Sequence, residues 1–500
     1  MSVISNKLST AEIIKSYSAP FDGEKKETSI ILAAGHGKRI KSHTSKMLHK
    51  IWGIPTVERV SGACGKGLPG SNTIIVVGIK AGDVVETVGR KDSISYAYQE
   101  FQNGTGHALQ TALENIPGNY DGTIYVFPGD MGLIDAGTVK FFKEEFEKSG
   151  SDMMVLTGIY EGPVEDNYYG RIVRVKGKNA NGVKSKTDGK VIEILEYKEI
   201  LGIGNKTSYK VKYGKKEYKF TRRELLENRE FNSGVYAIKF KPLNRLIGKI
   251  KSTNVQNEIY LTDLIGLFNQ NGYLVEAVSP KKQHVLMGFN NKSVLKEMDA
   301  IARKIIYDKL KDIIMIDDPD DFFIDESVAD ELLDMDRSGT ILDIQIGKGA
   351  YVGKGVKPGC NLKMMKNVFL EGNIKFGADV TVMENARISC FPGQAIEIGS
   401  KAEIFSGDII KGNVSIGSET RLEAGVRITG NDQFPSIIGS GVTIKGVSYI
   451  FGSKIAPGII IEHSVLIRKE IAKPDNADSG VCCVRFYLPE TEGKDAVKEY

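Results

Sequence analysis

Residues 346–388 read IGKGAYVGKGVKPGCNLKMMKNVFLEGNIKFGADVTVMENARI. Counting every sixth residue from Ile346 gives Val352, Pro358, Met364, Leu370, Phe376, Val382 and Ile388. The positions four further on give Ala350, Val356, Leu362, Val368, Ile374, Val380 and Ala386. All are apolar or proline, and a glycine follows the large apolar residue in IGKGAY, VGKGVK and FGADVT, then again in IGSKAE, IGSETR and IGSGVT. The phase slips at CFPGQA, resumes as Ile398, Ile404, Ile410, Ile416, Leu422 and Ile428, slips again at NDQFPS, and returns at Ile438 and Ile444. A rhythm of six fits neither a lone strand nor a helix. It fits one short strand and a turn per hexapeptide, three of which close a triangular coil of a parallel β-helix over 338–470.

Upstream, ten of the twenty residues from Asp317 to Asp336 are Asp or Glu and none is Lys or Arg, the composition of a solvated connector. Before it, KSVLKEMDAIARKIIYDKLKD (292–312) puts Val294, Leu295, Met298, Ile301, Ile305 and Ile306 on one helical stripe. Residues 297–337 are therefore expected as a helical and acidic connector, and 471–500 as a C-terminal tail. From 28 to 296, β-rich runs (SIILAAG, TIIVVGI, TIYVFPGD, DMMVLTG, FNSGVYAI) alternate with helical stretches (PTVERVSGA, GHALQTALENI, AGTVKFFKEEFEKS). That alternation predicts an α/β domain with a mainly parallel sheet. Residues 1–27 are left as an N-terminal extension, and about 177–223, rich in Lys and Arg, as an inserted basic hairpin.

Five hundred residues with 41% apolar content require two or three domains. A net charge of +4, spread along the chain, calls for no nucleic-acid or membrane partner. Cys64, Cys360, Cys390, Cys482 and Cys483 form neither a disulfide framework nor a zinc spacing. No stretch approaches the roughly 18 apolar residues of a bilayer span, so the cytoplasm is the expected location.

The stretch 31–49, ILAAGHGKRIKSHTSKMLH, runs a buried strand into Gly35 and Gly37, whose backbone wraps an anion without a Cβ in the way. Lys38, Arg39 and Lys46 then bring positive charge to where phosphate oxygens would sit. The spacing is neither a P-loop nor GxGxxG, which excludes a Walker ATPase and a dinucleotide-binding fold.

These elements occur in an order: LAAG-x-G-x-R, KMLHKIWGIP, QEFQNGTGHA, GDMGLI, YGRIVR, NSG, EIYLTDLI and GFNN, followed by DPDDF and the hexapeptides. The series resembles the bacterial bifunctional N-acetylglucosamine-1-phosphate uridyltransferase family and its sugar-nucleotidyltransferase relatives. The resemblance implies a Rossmann-like mixed sheet followed by a left-handed β-helix that trimerises, and a reaction of UTP with N-acetylglucosamine 1-phosphate. Carried over by motif, Leu32, Ala33, Ala34, Gly35 and Gly37 would hold the nucleotide, and Arg39 and Lys46 the phosphates at the reacting centre. Gln99, Gly104 and Thr105 would read the uracil, Asp130 and Asn290 would hold Mg²⁺, and Gly170, Glu196 and Asn232 would bind the sugar. Another sugar 1-phosphate or nucleoside triphosphate, and a non-catalytic trimeric sugar-nucleotide binder, stay open as alternatives.

The sequence departs from the family pattern in places. Ser45 stands where proline commonly precedes the lysine, and Pro128 where an aromatic residue is common before Gly-Asp. The family's second activity, acetyl transfer, resides on a K-x-GH segment and an NYDG stretch of the β-helix, and neither is present in the hexapeptide region; NYDG occurs only at 119–122, in the α/β domain. The hexapeptide region, 338–470, contains a single histidine, His463, at another position, so acetyltransferase activity is expected to be absent.

Overall fold

A computed structural model describes residues 9–35, 37–204, 207–250, 258–473 and 482–486. The chain divides into two compact units, Met1–Asp299 and Ala300–Tyr500. The first is built on a nine-stranded mixed sheet. Its strands, with the two of an excursion, are β1 (Glu27–Leu32), β2 (Asn72–Val77), β3 (Ile94–Tyr98), β4 (Thr123–Pro128), β5 (Met153–Ile159), β6 (Arg171–Arg174), β7 (Val191–Leu195), β8 (Ser208–Tyr213), β9 (Lys216–Thr221), β10 (Glu230–Lys239) and β11 (Val275–Val278). The order is β11-β5-β10-β4-β1-β2-β3, with β6 joined to β10 and β7. β10 runs antiparallel to β4 and β5, while β1 pairs in parallel with β2 and β4.

Alternation along each strand sends neighbouring side chains to opposite faces. Ile30, Val76, Val126 and Val155 therefore join one apolar cluster, and Ile31, Val77, Phe127 and Leu156 the other. Both faces are covered, which is why β2 is buried at all six positions. The covering helices start and stop on recognisable residues. Ala136–Ser149 begins at Asp135, which accepts a bond from the Thr138 amide at 2.7 Å, and ends on Gly150 in the left-handed region. The expected N-terminal extension is bound to this unit: helix Thr10–Tyr17 lays Ile13, Ile14 and Tyr17 on the core, and Ala19 donates to Ile94 O.

The basic excursion does contain a hairpin, β8–β9, paired from Ser208 with Thr221 to Tyr213 with Lys216. It is not a free insertion over 177–223, because β7 pairs with β6 in the main sheet. Tyr218, Phe220 and Leu225 bury against Val173, Val175 and Ile192 as a separate small core.

The second unit is a parallel β-helix of three stacked sheets. Ile346 pairs with Met364 and Met364 with Val382, eighteen residues apart, one coil of three hexapeptides. Each slip in phase adds four residues: Val382 pairs with Ile404 and Leu422 with Ile444. Both extra loops lie at the same corner, between strands Arg387–Ser389 and Ile396–Ile398 and between Arg427–Gly430 and Ser436–Ile438. Corners need a left-handed residue, and one column supplies Gly349, Asn367, Asn385, Gly407, Gly425, Val447 and His463. Asn367 donates to Asn385 across successive coils at 3.2 Å.

The acidic stretch is not a free connector. Met315–Ile316 pairs with Gln345–Ile346 and Phe323–Ile324 with Tyr351–Val352, so these residues form the first coil, closed by helix Glu326–Arg337. The expected tail likewise supplies Cys482–Val484, paired with Ile459–Ile461.

Candidate active site

A cavity of about 630 Å³ opens in the first unit where β1 and β4 end. Strands β1 and β4 pair in register, Leu32 beside Pro128, so the turn after one and the acid after the other face the same space. Gly37 has φ +59°, and a Cβ there would stand 2.9 Å from Lys46 Cβ, so the turn closes on Lys46 only with glycine. Ser45 holds φ at −53°, the angle a proline ring would impose, without the ring.

Lys46 Nζ lies 2.5 Å from Asp130 Oδ2 and donates to Asn290 Oδ1 at 3.0 Å. Its ammonium also sits 5.3 Å from the centre of the Phe289 ring. Gly288 leaves room for the acid, since a Cβ there would be 3.2 Å from both Asp130 oxygens. Asp130 and Asn290, 160 residues apart in sequence, thus converge on one positive charge. Two oxygen donors on a shared point fit a hard divalent cation, whose remaining ligands come from phosphate and water. Among the described residues no group of three or more His, Cys, Asp or Glu could hold a metal by itself. Arg39 lines the same wall.

Gln99 is nearly buried, and its Nε2 donates to Gly104 O at 3.3 Å and faces His107 Nδ1 at 3.0 Å. The carbonyl acceptor of Gly104 sets the amide so that Oε1 remains to accept from a ligand. Gly104, at φ +104°, packs against Ile259, where a Cβ would come within 2.6 Å of the carbonyl oxygen. Gly106 donates to Ile259 O, Ile259 to Asn103 O, and Leu261 to Thr105 Oγ1, so the EIYLTD segment latches onto the GTG turn. The Thr105 hydroxyl is therefore already an acceptor within the protein.

Glu196 and Asn232 line the same cavity. Burial pushes the Glu196 carboxyl up to about 7, and the charges of Glu199 and Asp263 add to it. Asp263 itself is raised to about 6 by burial and Glu199. Asn232 accepts at Oδ1 from the Gly234 amide and from the Tyr236 hydroxyl, both at 3.0 Å.

Of the residues expected at the site, Leu32, Ala34, Gly35, Gly37, Arg39, Lys46, Gln99, Gly104, Thr105, Asp130, Glu196, Asn232 and Asn290 line this one cavity. Two do not. Ala33 points into the core at 4% exposure, and Gly170 stands behind Glu196, whose Oε1 would lie 3.2 Å from a Cβ at 170. The walls also include Gln102, Pro128, Gly234, Tyr236, Glu258 and Tyr260, to which the motifs assign no role. Gly234 and Tyr236 were signalled by lying beside the asparagine of NSG, Glu258 and Tyr260 by EIYLTD, and Gln102 by its place inside QEFQNGTGHA.

A glycine turn closed on Lys46, an Asp–Asn pair converging on the same ammonium and, in the second unit, a β-helix define a sugar-1-phosphate nucleotidyltransferase. Residues 29–171 match the MobA-like NTP transferase domain. The chain is 28% identical to the bifunctional protein GlmU of Acetivibrio thermocellus over 88% of this chain and 94% of that protein. It is 30% identical to that of Caldanaerobacter subterraneus subsp. tengcongensis over 77% and 73% of the two chains, and 33% identical to that of Clostridium tetani over 60% and 58%. The chain belongs to the GlmU family.

Proposed function

We propose that the chain transfers UMP from UTP to N-acetylglucosamine 1-phosphate, giving UDP-N-acetylglucosamine and pyrophosphate. The observation that carries this is that Gln99, Glu196, Asn232, Arg39, Lys46, Asp130 and Asn290, drawn from separate stretches of sequence between residues 39 and 290, line one cavity. A sugar phosphate is already an anionic nucleophile, so the site needs alignment and charge neutralisation rather than a general base. Gln99 Oε1 accepts, which suits the N3–H of uracil and opposes cytosine, whose N3 is itself an acceptor. Lys46 neutralises phosphate oxygens once released from Asp130, and Arg39 takes the departing pyrophosphate. Asp130 and Asn290 would hold Mg²⁺, which when bound offsets the charge of crowded phosphates. Pro128, stacked against Gly234 on the wall, favours a second reading in which the sugar differs from the N-acetylated one.

The β-helix is proposed to serve assembly rather than acetyl transfer. His463 occupies a corner at φ +42° with Nδ1 2.9 Å from Gly446 O, which occupies one ring nitrogen in the turn.

The test is pyrophosphate release in the presence of Mg²⁺, pairing UTP, dTTP, CTP, ATP and GTP with N-acetylglucosamine 1-phosphate and with glucose 1-phosphate. UTP with the acetylated sugar should turn over fastest, and Asp130→Ala should cut kcat by about 10²–10³. Preference for another pair would keep the mechanism and move the substrate. Nucleotide binding without turnover of any pair would sink the enzyme reading.

A further inference from the structure

Strand β10 carries an irregularity where β5 pairs with it. Asn232 pairs with Thr157, but the next pair is Val235 with Leu156, so Ser233 and Gly234 are extra residues on the β10 side. Such a bulge bends the strand and re-aims a side chain. Gly234 accommodates it at φ +83°, against Pro128, whose Cγ would lie 2.9 Å from a Cβ at 234. The side chain re-aimed is Asn232, which lines the cavity beside Glu196.

The chemistry of that amide is decided by its neighbours. The Gly234 backbone N–H can only donate, and its partner is Asn232 Oδ1 at 3.0 Å. The oxygen is thereby identified, and the Tyr236 hydroxyl, 3.0 Å from the same atom, must donate its proton there. Tyr236 is 1% exposed, so its ring is packed on all sides and its hydroxyl is directed at Asn232. Both lone pairs of Oδ1 are used inside the protein. Asn232 Nδ2 has no hydrogen-bond partner among the described residues and is left with two N–H donors on the cavity side.

We infer that Tyr236 is a positioning residue for sugar recognition: its buried hydroxyl locks the Asn232 amide so that this residue offers the sugar phosphate only N–H donors, to an acceptor oxygen on the sugar. This rests on reading the cavity as a sugar-1-phosphate site. Without the tyrosine hydroxyl, the single bond from Gly234 still favours the same orientation, but the amide can rotate and present its oxygen, which repels the same acceptor. The Glu196 carboxyl beside it complements this arrangement, because a carboxylate accepts where the amide donates.

The test is steady-state pyrophosphate release by Tyr236→Phe, Asn232→Asp and the double variant, with nucleotide and sugar phosphate varied separately. Tyr236→Phe keeps the ring, and its unfolding temperature is measured alongside. Kinetics then show whether the sugar phosphate alone is affected. We expect kcat/KM for the sugar phosphate to fall about three- to tenfold, the worth of one hydrogen bond, with the nucleotide KM unchanged. Asn232→Asp, which offers acceptors only, should lose more, and adding Tyr236→Phe to it should cost nothing further, since there is no longer an amide to orient. A Tyr236→Phe enzyme with wild-type sugar kinetics would overturn the inference. So would losses in the two variants that simply multiply, or an equal loss on the nucleotide side. An inactive wild-type enzyme would instead count against the proposed function, and the two failures are thus distinguishable.

Discussion

Glu193, on β7, carries a carboxyl pushed up to about 7, first by burial, with Glu199 and Asp263 adding like charge and a bond to Tyr209 pulling the other way. One of its oxygens, Oε1, is buried without a hydrogen-bond partner. Because the folded chain holds this proton more tightly than the unfolded chain, the contribution to stability is complete below the ordinary glutamate range and is lost as pH rises through about 7. Glu196 and Asp263, raised to about 7 and about 6, add in the same direction. Calorimetry of the first unit's transition in the full chain should therefore show stability declining from pH 5 to pH 8. Glu193→Gln should flatten part of that decline, raising the unfolding temperature at pH 8 by roughly 2–4 °C for each kcal/mol relieved. A variant whose pH profile superimposes on the wild type would refute the assignment. At this scale the sequence shows that Asp130, Lys46 and Asn290 share a site, because each stands in a recognisable motif. It does not show that Lys46 pairs with both of the others, a contact between segments 84 and 244 residues apart.

Elements were legible to the extent that their causes are local. The six-residue period marks the coils because an apolar interior admits only inward side chains, and the corner column marks itself by Gly and Asn. Val447 breaks that column. It is β-branched, 82% exposed and held at φ +61°, where it gains no packing to offset the left-handed backbone. Val447→Asn, matching Asn367 and Asn385, should raise the stability of the β-helix by about 1 kcal/mol. Denaturant unfolding would record this as a later midpoint, and an unchanged or earlier midpoint would contradict it. Locality also explains the misreading of the acidic stretch. Phe323–Ile324 within it and Met315–Ile316 just before it are two residues long, and each is a strand only through its pairing with the next coil. Nothing within 317–336 supplies a period, and ten carboxylates mask the few inward residues such as Ile324.

For the whole molecule, the outer faces of the β-helix carry exposed apolar side chains, among them Phe391, Ile437, Tyr449 and Ile467. With the family resemblance, this supports assembly of three chains through that unit. Light scattering on the full-length protein should give three times the 54.8 kDa mass of the chain, and a stable monomer would exclude it. The purified protein should also fail to acetylate glucosamine 1-phosphate from acetyl-CoA. No helix among the described residues is long and apolar enough to cross a membrane.

By itself the sequence determined the two architectures, the strand-to-glycine turn and most of the residues that meet in the cavity. These follow from patterns repeated over a few residues: alternation for buried strands, a period of six for coils, glycine where a backbone must approach closely. Only the tertiary structure decided which atom each residue presents. The bulge at Asn232 and Val235, the latch of Ile259 on the GTG turn and the shared grip of Asp130 and Asn290 on Lys46 all bring distant segments within hydrogen-bond reach. Hydrogen bonds act over about 3 Å and depend on direction, so that information does not exist until the chain has closed.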